Sequence, residues 1–257
     1  GNFAVAGTIA RSGRGPNQDN CVASGFDGSA DYLTKSAVST TSKLFTFSCA
    51  IKTNLAESVA MLRTTTTAEN SGFVATGYSS DGGIKLQFQA FNTSNVRVFR
   101  IDPTEIFGVG STMHISMSGD LSDVGTFKLY VNGAASATAP STYSDDTYDT
   151  QGTDDIHVGA YVAAAQYLDG DFGELCFDNA YTDLATDNPF WDSDLGKPVS
   201  VRQVIDNTGV TPLIALPMIA SDAGNNLGSG GDFTATSGPY TGARGASEFW
   251  ARSVEMD

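Results

Sequence analysis

Apolar and polar residues alternate through most of the middle of the chain. Across positions 44–52, Phe45, Phe47, Cys49 and Ile51 share one side of an extended backbone, opposite Thr46, Ser48, Ala50 and Lys52. Ile84, Leu86, Phe88 and Ala90 oppose Lys85, Gln87 and Gln89, and Met113, Ile115 and Met117 oppose His114, Ser116 and Ser118. The same beat returns at Phe127, Leu129 and Val131, at Ile156, Val158 and Ala160, and at Leu175 and Phe177. A period of two repeated this often predicts half-buried antiparallel strands. Asp81-Gly82-Gly83, Asn132-Gly133 and Asp169-Gly170 supply the turns between them. Sheets apolar on one face bury that face against each other, so the expected class is all-β, a two-sheet antiparallel sandwich.

The two ends read differently. Residues 1–20, with Arg11-Ser12-Gly13-Arg14-Gly15-Pro16-Asn17, are turn formers without periodicity and suit an extended N-terminal arm. Tyr181–Trp191 hints at a short helical turn. Beyond Asp187 comes Gly196-Lys197-Pro198-Val199, then the apolar run Pro212-Leu213-Ile214-Ala215-Leu216-Pro217, then a glycine-rich turn from Asn226 to Phe233. The prolines confine any strand near 212–217 to an edge or a short segment. The expected division is an arm over 1–20, a sandwich over 21–187 and a C-terminal extension over 188–257 packed on the sandwich.

Composition narrows the function. The 257 residues hold 14 Lys and Arg against 29 Asp and Glu, a formal charge of −15, which repels phosphate backbones and anionic membranes. No apolar run is long enough for a membrane-spanning helix, and Gly1 to Gly7 lack the pattern of a signal peptide. Cys21, Cys49 and Cys176 are too few and too scattered for a disulfide framework or a zinc site. They are expected to be free thiols, which fits folding in a reducing cytoplasm.

Candidate chemistry is thin. Glycoside hydrolysis needs two facing carboxylates, and the nearest segment is Glu174-Leu175-Cys176-Phe177-Asp178. Glu174 and Asp178 share a face there, but Cys176 stands between them, so the segment reads as a solvent-facing edge of the last strand. His114 and His157 each sit alone in an alternating strand, opposite the apolar positions, with no nucleophile elbow or metal spacing nearby. Oxygen-rich clusters occur at Asp145-Asp146, Asp149, Asp154-Asp155 and Asp169-Gly170-Asp171. Calcium wants six to eight oxygens, and these clusters read first as solvated loops. A sugar platform has Tyr78, Tyr143, Tyr148, Tyr161, Tyr167 and Trp191 to draw on, but sequence alone does not cluster them. Trp191 and Trp250 are expected to anchor the extension. Gly228-Ser229-Gly230-Gly231 lacks the lysine and helix of a nucleotide cradle. No catalytic or cofactor-binding residue is assigned, and calcium stays open without a ligand set.

Six segments, in order, resemble the laminin-G-like, concanavalin A-like lectin domains across about residues 21 to 185. They are Phe26–Leu33 (FDGSADYL), Phe45–Ser48, Met113–Ser116, Leu129–Gly133, Ile156–Gly159 and Gly170–Leu175. The resemblance implies a jelly roll of two curved antiparallel sheets, with a type I′ hairpin turn at Asn132-Gly133. Some relatives of that fold cleave glucans and some hold calcium in loops. The tail adds a looser likeness to bacteriophage virion proteins, through Phe190-Trp191-Asp192, Gly196–Val199, Pro212–Ile214 and Asn226–Phe233. Together they imply a structural protein on the surface of a phage particle: a decoration, fibre or tail component, assembled in the host cytoplasm. Its expected partners are copies of itself and other virion proteins, with host-glycan adsorption through the jelly roll, and neither nucleic acid nor membrane insertion. The alternative is a free extracellular carbohydrate-binding lectin module; a glucan hydrolase comes last.

Overall fold

The computed structural model describes residues 24–36, 40–54, 58–64, 72–150, 155–162, 165–218 and 223–236. The expected arm, Cys21, Asp154 and Trp250 lie outside the described residues. Two large antiparallel sheets form the body, as the alternation predicts. The seven-stranded sheet runs in the order Ser24–Asp27, Asp169–Asp178, Leu44–Thr53, Thr112–Asp120, Asp123–Val131, Ala134–Ala135, with Ile214–Leu216 also paired to Asp169–Asp178. The nine-stranded sheet runs Thr142–Tyr143, Arg97–Ile101, Gly83–Phe91, Gly72–Ser80, Val59–Arg63, Asp155–Val158, Tyr32–Ser36, Thr234–Thr236, with Ile106–Gly108 beside Gly83–Phe91.

The inward residues of both sheets make one core. Its centre is aromatic: Phe73 lies 5.0 Å from Phe177 and 5.5 Å from Phe45 between ring centroids, and Phe99 stacks on Phe127 at 4.7 Å. Such tilted and stacked pairs add to the stabilisation from their buried area. The hairpin predicted at Asn132-Gly133 is present, with φ of 49° and 76° and Val131 paired to Ala134. Both residues are left-handed, as a two-residue type I′ turn requires. Gly133 has a second reason to lack a side chain, because a Cβ there would meet Trp191.

One expectation fails in an informative way. The strands were expected to be half-buried, yet Leu44–Thr53, Thr112–Asp120 and Asp169–Asp178 are buried on both faces along nearly their whole lengths. The cause is the C-terminal extension, which covers the outer face of the seven-stranded sheet. Asn188 donates to the Ser116 hydroxyl (3.0 Å), and the Val201 amide donates to the Glu174 carboxyl (2.7 Å). A second apolar cluster of Cys176, Leu184, Phe190, Val201, Val204 and Ala215 seals the join.

The extension carries the described helix, Val201–Thr208, where the sequence reading expected none; within Tyr181–Trp191, where a short helical turn was expected, the Thr186 and Asp187 amides close a single turn on the Asp183 carbonyl. Ser200 caps the helix by accepting from the Gln203 amide, and Gly209 ends it at φ 68°. Residues 212–216 and 224–233 are clasped by Asn226. Its side-chain oxygen accepts from the Ala215 and Gly228 amides, at 2.7 and 3.0 Å, and its nitrogen donates to the Leu213 and Gly231 carbonyls. The backbone at Gly228 and Gly230 passes so close to the Pro212 and Leu213 carbonyls that a Cβ would collide with them. The asparagine and glycines of the tail motif therefore have a direct structural cause.

Candidate functional site

With one sheet covered, the outward face of the nine-stranded sheet is the other strand surface, half-buried at Thr76, Tyr78, Lys85, Gln87, Gln89 and Arg100 and closed at Val74, Arg63 and His157. The inward positions Leu33, Leu62, Ala75, Ala90, Phe99 and Val158 belong to the core, so the alternate residues point outward. Strand register aligns these outward residues in a single transverse row. Arg100 pairs with Gln89, Gln89 with Val74, and Val74 with Arg63. Arg63 pairs with His157, His157 with Thr34, and Thr34 with Thr234. Except for Val74, the row is polar from end to end.

Next to this row lies a second, where Thr76 pairs with Gln87. Gln87 donates to Asp102 (2.8 Å), and Arg100 grips the same carboxylate through Nε at 2.6 Å and a terminal nitrogen at 3.1 Å. Desolvation alone would push the Asp102 carboxyl up, but the hydrogen bonds from Arg100 and Gln87 outweigh it and hold the group below its ordinary range. Thr76, Tyr78, Lys85, Gln87, Gln89 and Arg100 are all half-buried. They present fixed donors, acceptors and ring edges on rigid strands. At the far end Tyr32 stacks on His157 at 5.5 Å and lies 6.0 Å from Tyr167. Arg63 and His157, 1% and 2% exposed, are the floor of the face rather than its contact surface. Burial holds the His157 pKa down, with Arg63 adding to the effect and Asp155 opposing it.

The residues singled out from sequence scatter to different places. Glu174 and Asp178 do share a face, but not a solvent-facing edge. Their strand is interior, paired with Leu44–Thr53 on one side and with Ser24–Asp27 and Ile214–Leu216 on the other. Glu174 sits at an irregularity with φ 51°, is 2% exposed, and accepts from the Val201 amide at 2.7 Å. Asp178 accepts from the Leu213 and Asn179 amides, and burial raises its pKa. Both carboxylates hold the extension in place.

His114 is on the covered side as well. Its Nε2 is 2.9 Å from the Ser48 hydroxyl, its ring packs 5.4 Å from Trp191, and burial pushes its pKa down to about 3. Among the tyrosines, Tyr78 and Tyr167 reach the outward face of the nine-stranded sheet, while Tyr143 packs edge-on to Phe127. Tyr148 is fully buried and donates to the Leu44 carbonyl and Asn179. The Tyr161 side chain lies outside the described residues. Tyr32, Gln87, Gln89 and Arg100 were missed: a bulge at Ala90/Phe91 sets the register that places Arg100 beside Gln89, and Tyr32 reaches His157 only through pairing of strands distant in sequence.

The acidic clusters do not converge. Asp145 pairs with Lys43, Asp146 accepts from Asn92, and Asp169 accepts from Asn54. Asp149 is buried, Asp155 is exposed, and Asp171 lies on the strand Asp169–Asp178. Asp27 curls onto its own turn, accepting from the Ser29, Ala30 and Asp31 amides, and these bonds, Ser29 first, lower its pKa to about 2. Among the described residues no group of three or more His, Cys, Asp or Glu side chains could hold a metal ion. Cys49 and Cys176 are free and buried.

Comparison with known proteins bears on the body of the chain. The sequence profile of the concanavalin A-like lectin/glucanases superfamily matches residues 27–182. Among solved structures, a heptameric SAP-like pentraxin from Limulus polyphemus superposes with a TM-score of 0.51 at 15% identity, over 66% of this chain and 81% of that one. A putative carbohydrate binding protein from Bacteroides ovatus gives 0.46 at 17% identity, over 63% of this chain and 44% of that one. The CBM40 of a Ruminococcus gnavus sialidase, solved with α2,3 sialyllactose, gives 0.42 at 15%, over 58% and 93%. No curated protein sequence matches the chain.

Proposed function

The chain belongs to the concanavalin A-like lectin/glucanases superfamily, and on that footing we propose that it is a non-catalytic carbohydrate-binding module. Its binding face is the outward side of the nine-stranded sheet. The observation that carries the reading is the half-buried polar set Thr76, Tyr78, Lys85, Gln87, Gln89 and Arg100, aligned on three neighbouring strands. Side chains fixed on strands match sugar hydroxyls with little loss of freedom on binding. The carboxylates closest to a glucanase pattern, Glu174 and Asp178, are committed to the extension, which supports binding over hydrolysis.

A glycan array probed with the wild type and with a Gln87→Ala/Gln89→Ala variant tests this. The expected result is a restricted set of oligosaccharides bound by the wild type and lost in the variant at unchanged thermal stability. An array bound equally by both, or by neither, would refute it.

One observation favours a second reading, a structural component of a phage particle. Two of the segments that carry the phage-like resemblance, Pro212–Ile214 and Asn226–Phe233, are clasped together around Asn226, and the other two pair with each other through Trp191–Asp192 and Lys197–Pro198, so the likeness concerns folded elements. Light scattering tests it: a defined homo-oligomer is expected, and a monomer at all concentrations counts against it.

A further inference from the structure

Cations are scarce in this chain and unevenly placed. Over the whole sequence acids outnumber bases 29 to 14. On the outward face of the strands Gly72–Ser80, Gly83–Phe91 and Arg97–Ile101, and at Asp102 just beyond, the balance reverses: Lys85, Arg97 and Arg100 stand against Asp102 alone. From this, and resting on the carbohydrate reading above, we propose that the face selects acidic oligosaccharides, chains bearing carboxylated sugars.

The cations form a track. Lys85, Gln87, Gln89 and Phe91 follow one another on one face, with Arg100 opposite Gln89 and Arg97 opposite Phe91. At ~3.4 Å per residue, Lys85 and Arg97 stand about 20 Å apart with Arg100 between them. The Arg97 guanidinium lies over the Phe91 ring, 5.5 Å from its centroid, and its buried Nε has no hydrogen-bond partner. Ring contact fixes the head, and its terminal nitrogens rather than the enclosed Nε are the donors left to offer. Lys85 makes no ion pair among the described residues. Arg100 is already pinned by Asp102, so its remaining donors are held in one orientation. Arginine in such a frame meets a carboxylate through paired N–H donors. Gln87, Gln89, Thr76 and Tyr78 lie between the cations, where the hydroxyls of the intervening sugars would sit. Separated single charges suit a sparsely charged chain. A dense polyanion such as a nucleic acid would meet the repulsion of a molecule with net charge −15.

The test uses the full chain with two probes, a tetrauronate oligosaccharide and its carboxyl-reduced neutral counterpart, titrated calorimetrically at low and moderate salt. The wild type is expected to bind the acidic probe about tenfold tighter than the neutral one, a gap that shrinks as salt screens the charges. A Lys85→Gln/Arg97→Gln variant with an unchanged melting temperature is expected to bind both alike. Lys85→Arg, with Arg97 retained, is expected to keep the preference. If the neutral probe binds as tightly and the charge variants change nothing, the acidic preference falls while the carbohydrate reading survives. If the folded wild type binds neither probe nor any array glycan, the carbohydrate reading falls and takes this proposal with it.

Discussion

Lowering the pH should weaken the fold through His114. The imidazole is enclosed by Ser48, Trp191 and the Asn132 side chain, which accepts from the His114 amide, and burial alone sets its pKa near 3 against 6.5 in the unfolded chain. Between those values the unfolded chain binds the proton and the folded one does not, so stability is full above pH 6.5 and drains as pH falls toward 3. Each unit of separation is worth about 1.36 kcal/mol, so roughly 2 kcal/mol is lost by about pH 5. A His114→Gln variant keeps a polar group near Ser48 but cannot titrate. It should cost about 1–2 kcal/mol near neutrality, through the lost ring contact with Trp191 and looser packing. Urea denaturation of both proteins across the acid range gives the difference directly, and contributions shared by both, such as that of His157, cancel. The two stability curves should converge, the variant matching the wild type near pH 5. Parallel curves would refute the reasoning, because they would mean that His114 stays neutral or reaches water in the folded protein.

Other predictions follow from the join between extension and sandwich. Glu174→Gln should cost about 1–2 kcal/mol in urea denaturation, because the carboxyl oxygen that accepts from the Val201 amide gives way to a side-chain amide whose extra N–H donors are buried at the same place. Faster amide exchange at the start of the helix Val201–Thr208 should accompany it; unchanged exchange would count against the assignment. Asn226→Ala removes four side-chain hydrogen bonds at the clasp and should cost about 2–4 kcal/mol, readable as a lowered melting temperature. Cys49 and Cys176 are buried, and burial raises both thiols above their ordinary range. Peptide-resolved alkylation should leave both unmodified in the native protein and label them on unfolding; rapid native labelling would contradict the packing.

Much of the fold could be read from the chain because period-two alternation is a local signal. Phe45, Phe47, Ile115, Met117 and Phe88 all face the core as the pattern requires. What alternation does not say is whether the other face meets water. Ser48, His114 and Ser116 have the polarity of surface residues, yet they are buried because the extension brings partners such as Asn188 to them. Glu174 misled for the same reason: its partner, the Val201 amide, lies in a segment whose docking no local pattern predicts. The helix Val201–Thr208 did carry a local signal, with Ser200 as cap, Val201, Val204 and Ile205 on one side, and Gly209 as stop, but two turns give a short period to detect. The candidate face was the least legible feature. Arg100, Gln89, Val74 and Arg63 lie on consecutive strands whose register is shifted by bulges at Ala90/Phe91 and Ala60/Leu62, and His157 and Thr34 join them through pairing of strands distant in sequence.

The most direct test of the central claim is to add a bound oligosaccharide to isotopically labelled protein and map which NMR signals move. Shifts are expected to concentrate in the side chains of Gln87, Gln89 and Arg100 and in the amides of Gly83–Phe91 and Arg97–Ile101. Shifts confined to the loop around Asp27 and Asp169, or to the extension over the opposite sheet, would contradict it.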